Sequence, residues 1–160
     1  MLKDSQQSEL DEIDKALLNI VQADGHLTNV ELARRVNLSP PATHARIKRL
    51  EQLGYISQYT AIIDRYKIGY DLLGFIQISI QAHQFELFEK FQHFMQELPE
   101  VLECYRITGE YDYLLKVVLH NGQDLSQFVG ERLPPIMGIN RIHTSLVLTE
   151  VKSTTILPVE

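Results

Sequence analysis

Five cations crowd into one short stretch of a chain that is otherwise acidic. Residues 34–50 hold Arg34, Arg35, Arg46, Lys48 and Arg49 and no Asp or Glu, a local charge of +5. The chain of 160 residues carries a formal net charge of −6; residues 61–160 have 8 Lys or Arg against 13 Asp or Glu, a balance of −5. Where charge sits decides which partner a surface attracts, more than the total does. A compact basic patch suits a polyanion such as nucleic acid, although the same side chains could do no more than solvate helix faces. Other candidate chemistry is thin. Glu110 and Asp112 could be read as a carboxylate pair for proton transfer, but no nucleophile motif or glycine-rich phosphate loop accompanies them. The histidines, at 26, 44, 83, 93, 120 and 143, show no helical i, i+4 pairing, and Cys104 is the one cysteine. Neither a catalytic site nor a metal site is expected. A single cysteine cannot close an intrachain disulfide and fits a reducing, cytoplasmic setting.

The basic stretch needs a scaffold, and the sequence around it supplies one. Ile13, Leu17, Ile20 and Val21 recur at helical spacing, after a capping pattern of Ser8 and Asp11 and before the turn Asp24-Gly25. Thr28 and Glu31 form a second capping pattern, ahead of the short apolar face Leu32, Ala33 and Val36. Asn37, which tolerates a left-handed conformation, leads into Ser39-Pro40, a cap followed by a proline where a helix has an N–H to spare. The third helix runs to about Leu53, with Thr43, Ile47 and Leu50 inside and Gly54 as its stop. Two helices joined by a four-residue turn, in a set of three, are helix-turn-helix arithmetic. Pro41, His44, Ala45, Lys48 and Gln52 form the outer ridge of the third helix. Such a ridge can enter a DNA major groove while basic side chains and helix N-termini hold phosphates. Ile56–Ile63 is β-branched and tyrosine-rich and is expected to form a strand. Residues 64–71 are expected as a linker, so that 1–63 make one domain and 72–160 another.

The second domain alternates strands and helices. Ile76, Ile78 and Ile80 recur at period two within a strand over 72–82, with Phe75 on the opposite face. Leu87, Phe88, Phe91, Phe94, Met95 and Leu98 form a helical stripe that Pro99 ends. Strands are expected at 101–108 and 111–120, joined through Gly109-Glu110. A second helix follows, marked by Leu125, Phe128, Val129 and Leu133, and then a strand over 139–150. The order β-α-β-β-α-β is the ferredoxin-like pattern, an α+β fold with both helices on one face of a four-stranded antiparallel sheet. Several strands are apolar on both faces, so the uncovered face implies a partner. With 44% hydrophobic residues and no run of about 18 apolar residues, no membrane span is expected. The polar, acidic opening MLKDSQQSELDEIDK does not read as a signal peptide.

The stretches LDEIDKALLNIVQADGHLTNVELARRVNLSP, SPPATHARIKRLEQLGYI, PEVLECYRITGEYDYLLKV and SLVLTEVKSTTILP stand in this order from about Leu10 to Pro158. Together they resemble the leucine-responsive/asparagine-operon family of transcription regulators, also called feast/famine regulators. The resemblance implies a non-enzymatic, sequence-specific DNA-binding regulator, cytoplasmic and nucleoid-associated, whose DNA binding or assembly responds to a free amino acid. It implies a homodimer, assembled further into tetramers or octamers, with no cofactor beyond the effector. An architectural DNA-wrapping protein of weak sequence preference is the alternative. Carried over by motif, the residues expected at double-stranded DNA are Thr28, Arg34, Ser39, Pro41, Ala42, His44, Ala45, Arg46, Lys48 and Arg49. Those expected at the effector are Thr108, Gly109, Glu110, Tyr111, Asp112 and Tyr113. The loop suits a zwitterion: a glycine turn exposes backbone N–H groups to a carboxylate, and an acid such as Asp112 can hold an ammonium. At His44 and Ala45 the family commonly has larger or charged residues, so a base preference does not carry over, and shape readout gains weight.

Overall fold

Asp11 opens the first helix by accepting a hydrogen bond from the backbone N–H of Asp14 at 2.8 Å, and α1 spans Glu12–Ala23. The structure, a computed structural model, describes residues 10–80, 85–133 and 138–160. Ser8, expected as the cap, lies outside the described residues, and Asp11, its expected partner, is itself the cap. The box at Thr28 and Glu31 closes in both directions and starts α2, Asn29–Arg35. Asn37 takes the positive φ of 54° that the turn requires. Ser39 then accepts from the N–H of Ala42, and α3 runs Pro40–Gln52. Asn29 Nδ2 donates to the carbonyl of Pro40 at 2.7 Å, tying the start of α2 to the start of α3. Leu17, Leu18, Leu32, Ile47 and Leu50 form the buried core of these three helices. Each such side chain contributes roughly 1.5–3 kcal/mol on burial.

The segment Ile56–Ile63 does not form the expected strand. Ile56 packs against the helical core, but Tyr59, Ile62 and Ile63 are exposed and no described strand pairs with the segment. A β-rich composition makes no ladder without a neighbouring backbone to bond. The chain divides into two compact units, one reaching to Ile62 and including Lys152–Glu160, the other Ile63–Val151. The C-terminal stretch therefore packs with the helical unit, whereas the sequence reading kept it with the second domain. The Gln22 side chain explains why. It donates to the Leu157 carbonyl at 3.1 Å and accepts from the Leu157 N–H at 2.8 Å, while Asn19 donates to the Val159 carbonyl.

In the second unit β1 (Leu72–Ile80), α4 (Phe85–Glu97), β2 (Val101–Arg106), β3 (Tyr113–Leu119), α5 (Gly122–Gln127) and β4 (Ile139–Leu146) follow in chain order. The strands make one antiparallel sheet in the order β2-β3-β1-β4, so the first and third strands are central, as a ferredoxin-like fold requires. The register sets Ile76 opposite Leu115 and Ile78 opposite both Tyr113 and Ile142. Phe91, Met95, Leu98, Phe128 and Leu133 share one buried cluster with this face. Asn121 caps α5 by accepting from the N–H groups of Gln123 and Asp124, and the helix continues through one π turn, Phe128–Arg132. The opposite face carries Phe75, Gln77, Leu114, Tyr105 and an ion pair of Lys116 with Glu103 at 3.0 Å. Phe75 and Tyr105 are exposed there.

Candidate nucleic-acid interface and effector loop

On α3 the outer ridge stands clear of the core. Pro41, Ala42, His44, Ala45 and Lys48 are all exposed, as are the caps Thr28 and Ser39 and, at the end of α2, Arg34. Lys48 pairs with Glu51 at 2.8 Å, one turn along the exposed side of the helix. That hydrogen bond is the main reason the Glu51 carboxyl lies below the usual carboxylate range. Lys48 is more than half exposed and Glu51 also accepts from the Tyr59 hydroxyl at 3.2 Å, so exchange of Glu51 for a phosphate oxygen costs the pair little.

The two arginines of the R-I-K-R stretch turn the other way. Asp14 is buried, at 1% exposure, and both its carboxylate oxygens are used: Oδ1 by Arg46 Nη1 at 2.8 Å, Oδ2 by Arg49 Nη1 at 2.9 Å. Arg46 Nη1 also donates to Asp11 Oδ2 at 2.6 Å. Asp14 of α1 and its cap Asp11 thus neutralise two of the five cations in residues 34–50, and Lys48 meets Glu51 just outside that stretch. Spacing in the sequence gave no hint of this. The partners lie 32 and 35 residues apart, and the sequence marks Asp11 only as part of a capping pattern.

The loop between β2 and β3 is closed by backbone bonds. Ile107 N–H donates to the Asp112 carbonyl and Asp112 N–H to the Ile78 carbonyl, each at 2.9 Å. The Asp112 carboxylate then accepts from the Ile80 N–H at 2.7 Å, at the point where the β1–β4 register shifts. Gly109 sits at φ 118° with open space where a Cβ would be, so its requirement is conformational. Thr108, Gly109 and Glu110 are exposed, and Tyr111 and Asp112 are half-buried. Glu110 forms an ion pair with Arg141 of β4. The same guanidinium lies 5.8 Å from the Tyr111 ring centroid, and the His143 ring lies 6.3 Å from it. Hydrogen bonds to Tyr111 first, then to Glu110, raise the Arg141 pKa.

The loop therefore gathers Glu110, Tyr111 and Asp112 with Arg141 and His143. It does not gather Tyr113, which is 1% exposed, packs its ring 4.5 Å from that of Phe91, and accepts from Gln92 at 2.9 Å. Arg141 and His143 carry no local motif, and sequence reading missed them. A carboxylate, a guanidinium and exposed backbone N–H groups within one loop offer partners to both ends of a zwitterion. The arrangement is open to solvent. Cavities of ≈ 130 Å³ beside Glu100 and Arg132 and ≈ 370 Å³ between α4 and β2 lie elsewhere. Among the described residues no group of three or more His, Cys, Asp or Glu could hold a metal ion. No described helix is long and apolar enough to cross a membrane.

Comparison with known proteins covers both parts of the chain. Residues 10–57 match a winged helix-turn-helix DNA-binding family and residues 73–157 the Lrp/AsnC ligand binding domain. The leucine-responsive regulatory protein of Escherichia coli K12 is 38% identical over 144 residues, covering 90% of this chain and 88% of its own. A transcriptional regulator from Neisseria meningitidis, solved as an L-Met complex, is 39% identical with a TM-score of 0.91, covering 94% of this chain and 97% of that one. The feast or famine regulatory protein of M. tuberculosis, complexed with L-methionine, is 28% identical with a TM-score of 0.82, covering 95% and 100%. The chain belongs to the Lrp/AsnC family of DNA-binding transcription regulators, which are not enzymes, with a helix-turn-helix unit ahead of a ligand-binding domain.

Proposed function

We propose that this regulator reads DNA with α3 and adjusts its DNA binding or assembly to a free amino acid held at Thr108–Tyr113. The observation that carries the effector half is the loop itself, where Asp112, Arg141 and the Gly109 turn set an acceptor, a cation and backbone donors side by side. The ligand's α-ammonium would go to Asp112, and its carboxylate to the turn or to Arg141. Methionine is the first ligand to test, because two similar proteins hold it. At DNA, Pro41, His44 and Ala45 would face base edges, while Thr28, Arg34, Ser39, Ala42 and Lys48 would line the phosphate backbone.

Self-association belongs to the same reading. The sheet face that no described helix covers exposes Phe75 and Tyr105 in the single chain, beside Gln77 and the Lys116–Glu103 pair, which favours a homodimer through it and further assembly to tetramers or octamers. A loop site open on one side would then be completed by a neighbouring copy. Two-fold symmetry calls for pseudo-palindromic half-sites about one helical turn, roughly 34 Å, apart or a multiple of that. A regulator of this kind works in the cytoplasm, on the nucleoid. A thermal-shift screen of the common amino acids, followed by gel shifts with and without the hit, tests the reading. Stabilisation by methionine or a related amino acid with a change in DNA affinity is expected. Broad, ligand-independent DNA coverage would instead favour an architectural protein.

A further inference from the structure

The arginines of α3 were expected at phosphates, yet they are engaged with α1. We propose that Asp14, seconded by Asp11, is the anchor that sets the rotation of α3 about its own axis, and that Arg46 and Arg49 are positioning residues rather than phosphate contacts. The inference rests on α3 being the DNA reader.

Three features carry it. Arg46 and Arg49 are three residues apart, so they lie on one face of α3, and both reach the same buried carboxylate. One such contact would leave the helix free to pivot; two, on successive turns, fix which ridge faces outward. Asp11 adds a third point and is itself held in place, because its other oxygen caps α1. Finally, Asp14 is almost wholly out of water. An arginine that left it for a phosphate would strand part of a buried carboxylate, an outcome burial makes costly. Lys48, between the two arginines in sequence, is exposed and pairs with half-buried Glu51 of its own helix, so the same turn of helix separates a cation for the partner from cations for the scaffold.

The test uses the full chain and a duplex selected from a randomised pool by the parent protein, with a scrambled duplex beside it. Affinities are measured across salt concentrations for the parent, Asp14→Asn, Arg46→Lys, Arg46→Ala, Lys48→Ala and the double variant Asp14→Asn with Arg46→Ala, at a temperature where circular dichroism shows each folded. Lys48→Ala should lower the salt slope by about 0.9, the loss of one phosphate contact. Asp14→Asn and Arg46→Ala should each lower affinity for the selected duplex on the order of tenfold. Both should keep the parental slope and the parental affinity for the scrambled duplex. The double variant should be little worse than either single one, because the two side chains act as one device. Arg46→Lys keeps the charge but loses the shared donor, so it should behave like Arg46→Ala; it also serves if Asp14→Asn does not fold. A slope reduced by about 0.9 in Arg46→Ala, with parental binding by Asp14→Asn, would make Arg46 a phosphate contact and overturn the proposal. An unchanged ratio of selected to scrambled binding in every folded Asp14 and Arg46 variant would reduce the cluster to a role in stability and also overturn it. If Lys48→Ala and a charge placed at Ala45 leave selected binding untouched, it is the reading of α3 itself that fails.

Discussion

The recognition helix and the effector loop are both short and charged, yet different interactions hold them in place. Around α3 most fixing contacts are local: Thr28 with Glu31, Ser39 with Ala42, Asn37 in its left-handed turn. One long-range cluster, Asp11 and Asp14 with Arg46 and Arg49, adds the rotation. In the loop almost every fixing contact is long-range. Asp112 bonds to the end of β1, and Glu110 and Tyr111 meet Arg141 and His143 of β4. A reader assembled from local caps can keep its shape whatever its surroundings do. A loop assembled from distant partners changes when any of them finds a better one, which is what a sensor needs.

The comparison can be broken most easily at Asp14. Asp14→Ala removes the buried carboxylate that Arg46 and Arg49 share and should cost the helical unit about 2–3 kcal/mol. That is less than the 3–5 kcal/mol for a fully buried pair, because Arg46 and Arg49 keep 29% and 41% exposure. Urea denaturation followed by far-ultraviolet circular dichroism measures it. Asp112→Ala comes next, at about 1.5–3 kcal/mol, since a carboxylate that accepts from the Ile80 N–H is removed. Asp112→Asn keeps an acceptor for that bond and should lose far less stability. Amide exchange at Ile80 separates the two variants: protected in Asp112→Asn, fast in Asp112→Ala. Thr28→Ala, at a cap, should cost about 1 kcal/mol. Arg141→Ala, which breaks an exposed pair, should cost under about 1 kcal/mol while still weakening effector binding in calorimetry. A large loss of stability there would mean that the loop, too, is held rigidly.

The smallest effect is acid sensitivity. Asp11 lies below its ordinary pKa, chiefly through the Asp14 N–H and then through Arg46, and Glu31 does so chiefly through the Thr28 hydroxyl. Both are depressed in the folded state, so the unfolded chain binds more protons as pH falls through the carboxylate range. Their contribution is present above about pH 4–5 and is lost below it. Amide exchange in α1–α3 should therefore accelerate as pH is lowered through that window, after correction for intrinsic rates, and Asp11→Asn should flatten the trend.

Much of the fold was legible because periodicity and caps act within a few residues. Leu17, Ile47 and Leu50, or Ile76, Ile78 and Ile80, announce their faces by spacing alone. Gly109 and Asn37 announce their turns, because few residues accept a positive φ. The misses share one cause, a partner far away in the chain. Ile56–Ile63 has the composition of a strand, and no described backbone pairs with it. Residues 152–160 pack with α1 because the Gln22 amide happens to match the Leu157 backbone. Arg46 and Arg49 meet Asp14 from 32 and 35 residues away, and Tyr113, adjacent to Asp112, alternates onto the helix-covered face. The turn at Gly109 was readable from its residue type, whereas the approach of Arg141 and His143 of β4 to Glu110 and Tyr111 was not.

The central claim is that one amino acid, bound at this loop, is linked to DNA binding by α3. Linkage is reciprocal, so it can be measured from both sides. DNA affinity is determined with and without saturating L-methionine, and methionine affinity with and without the selected duplex. The account predicts the same factor both ways, about 5–150-fold for a coupling of 1–3 kcal/mol. It also predicts loss of methionine binding in Asp112→Asn, with DNA binding retained. Equal binding of methionine, or of any other common amino acid that binds, to the parent and to Asp112→Asn would contradict it, as would ligand binding that leaves DNA affinity unchanged.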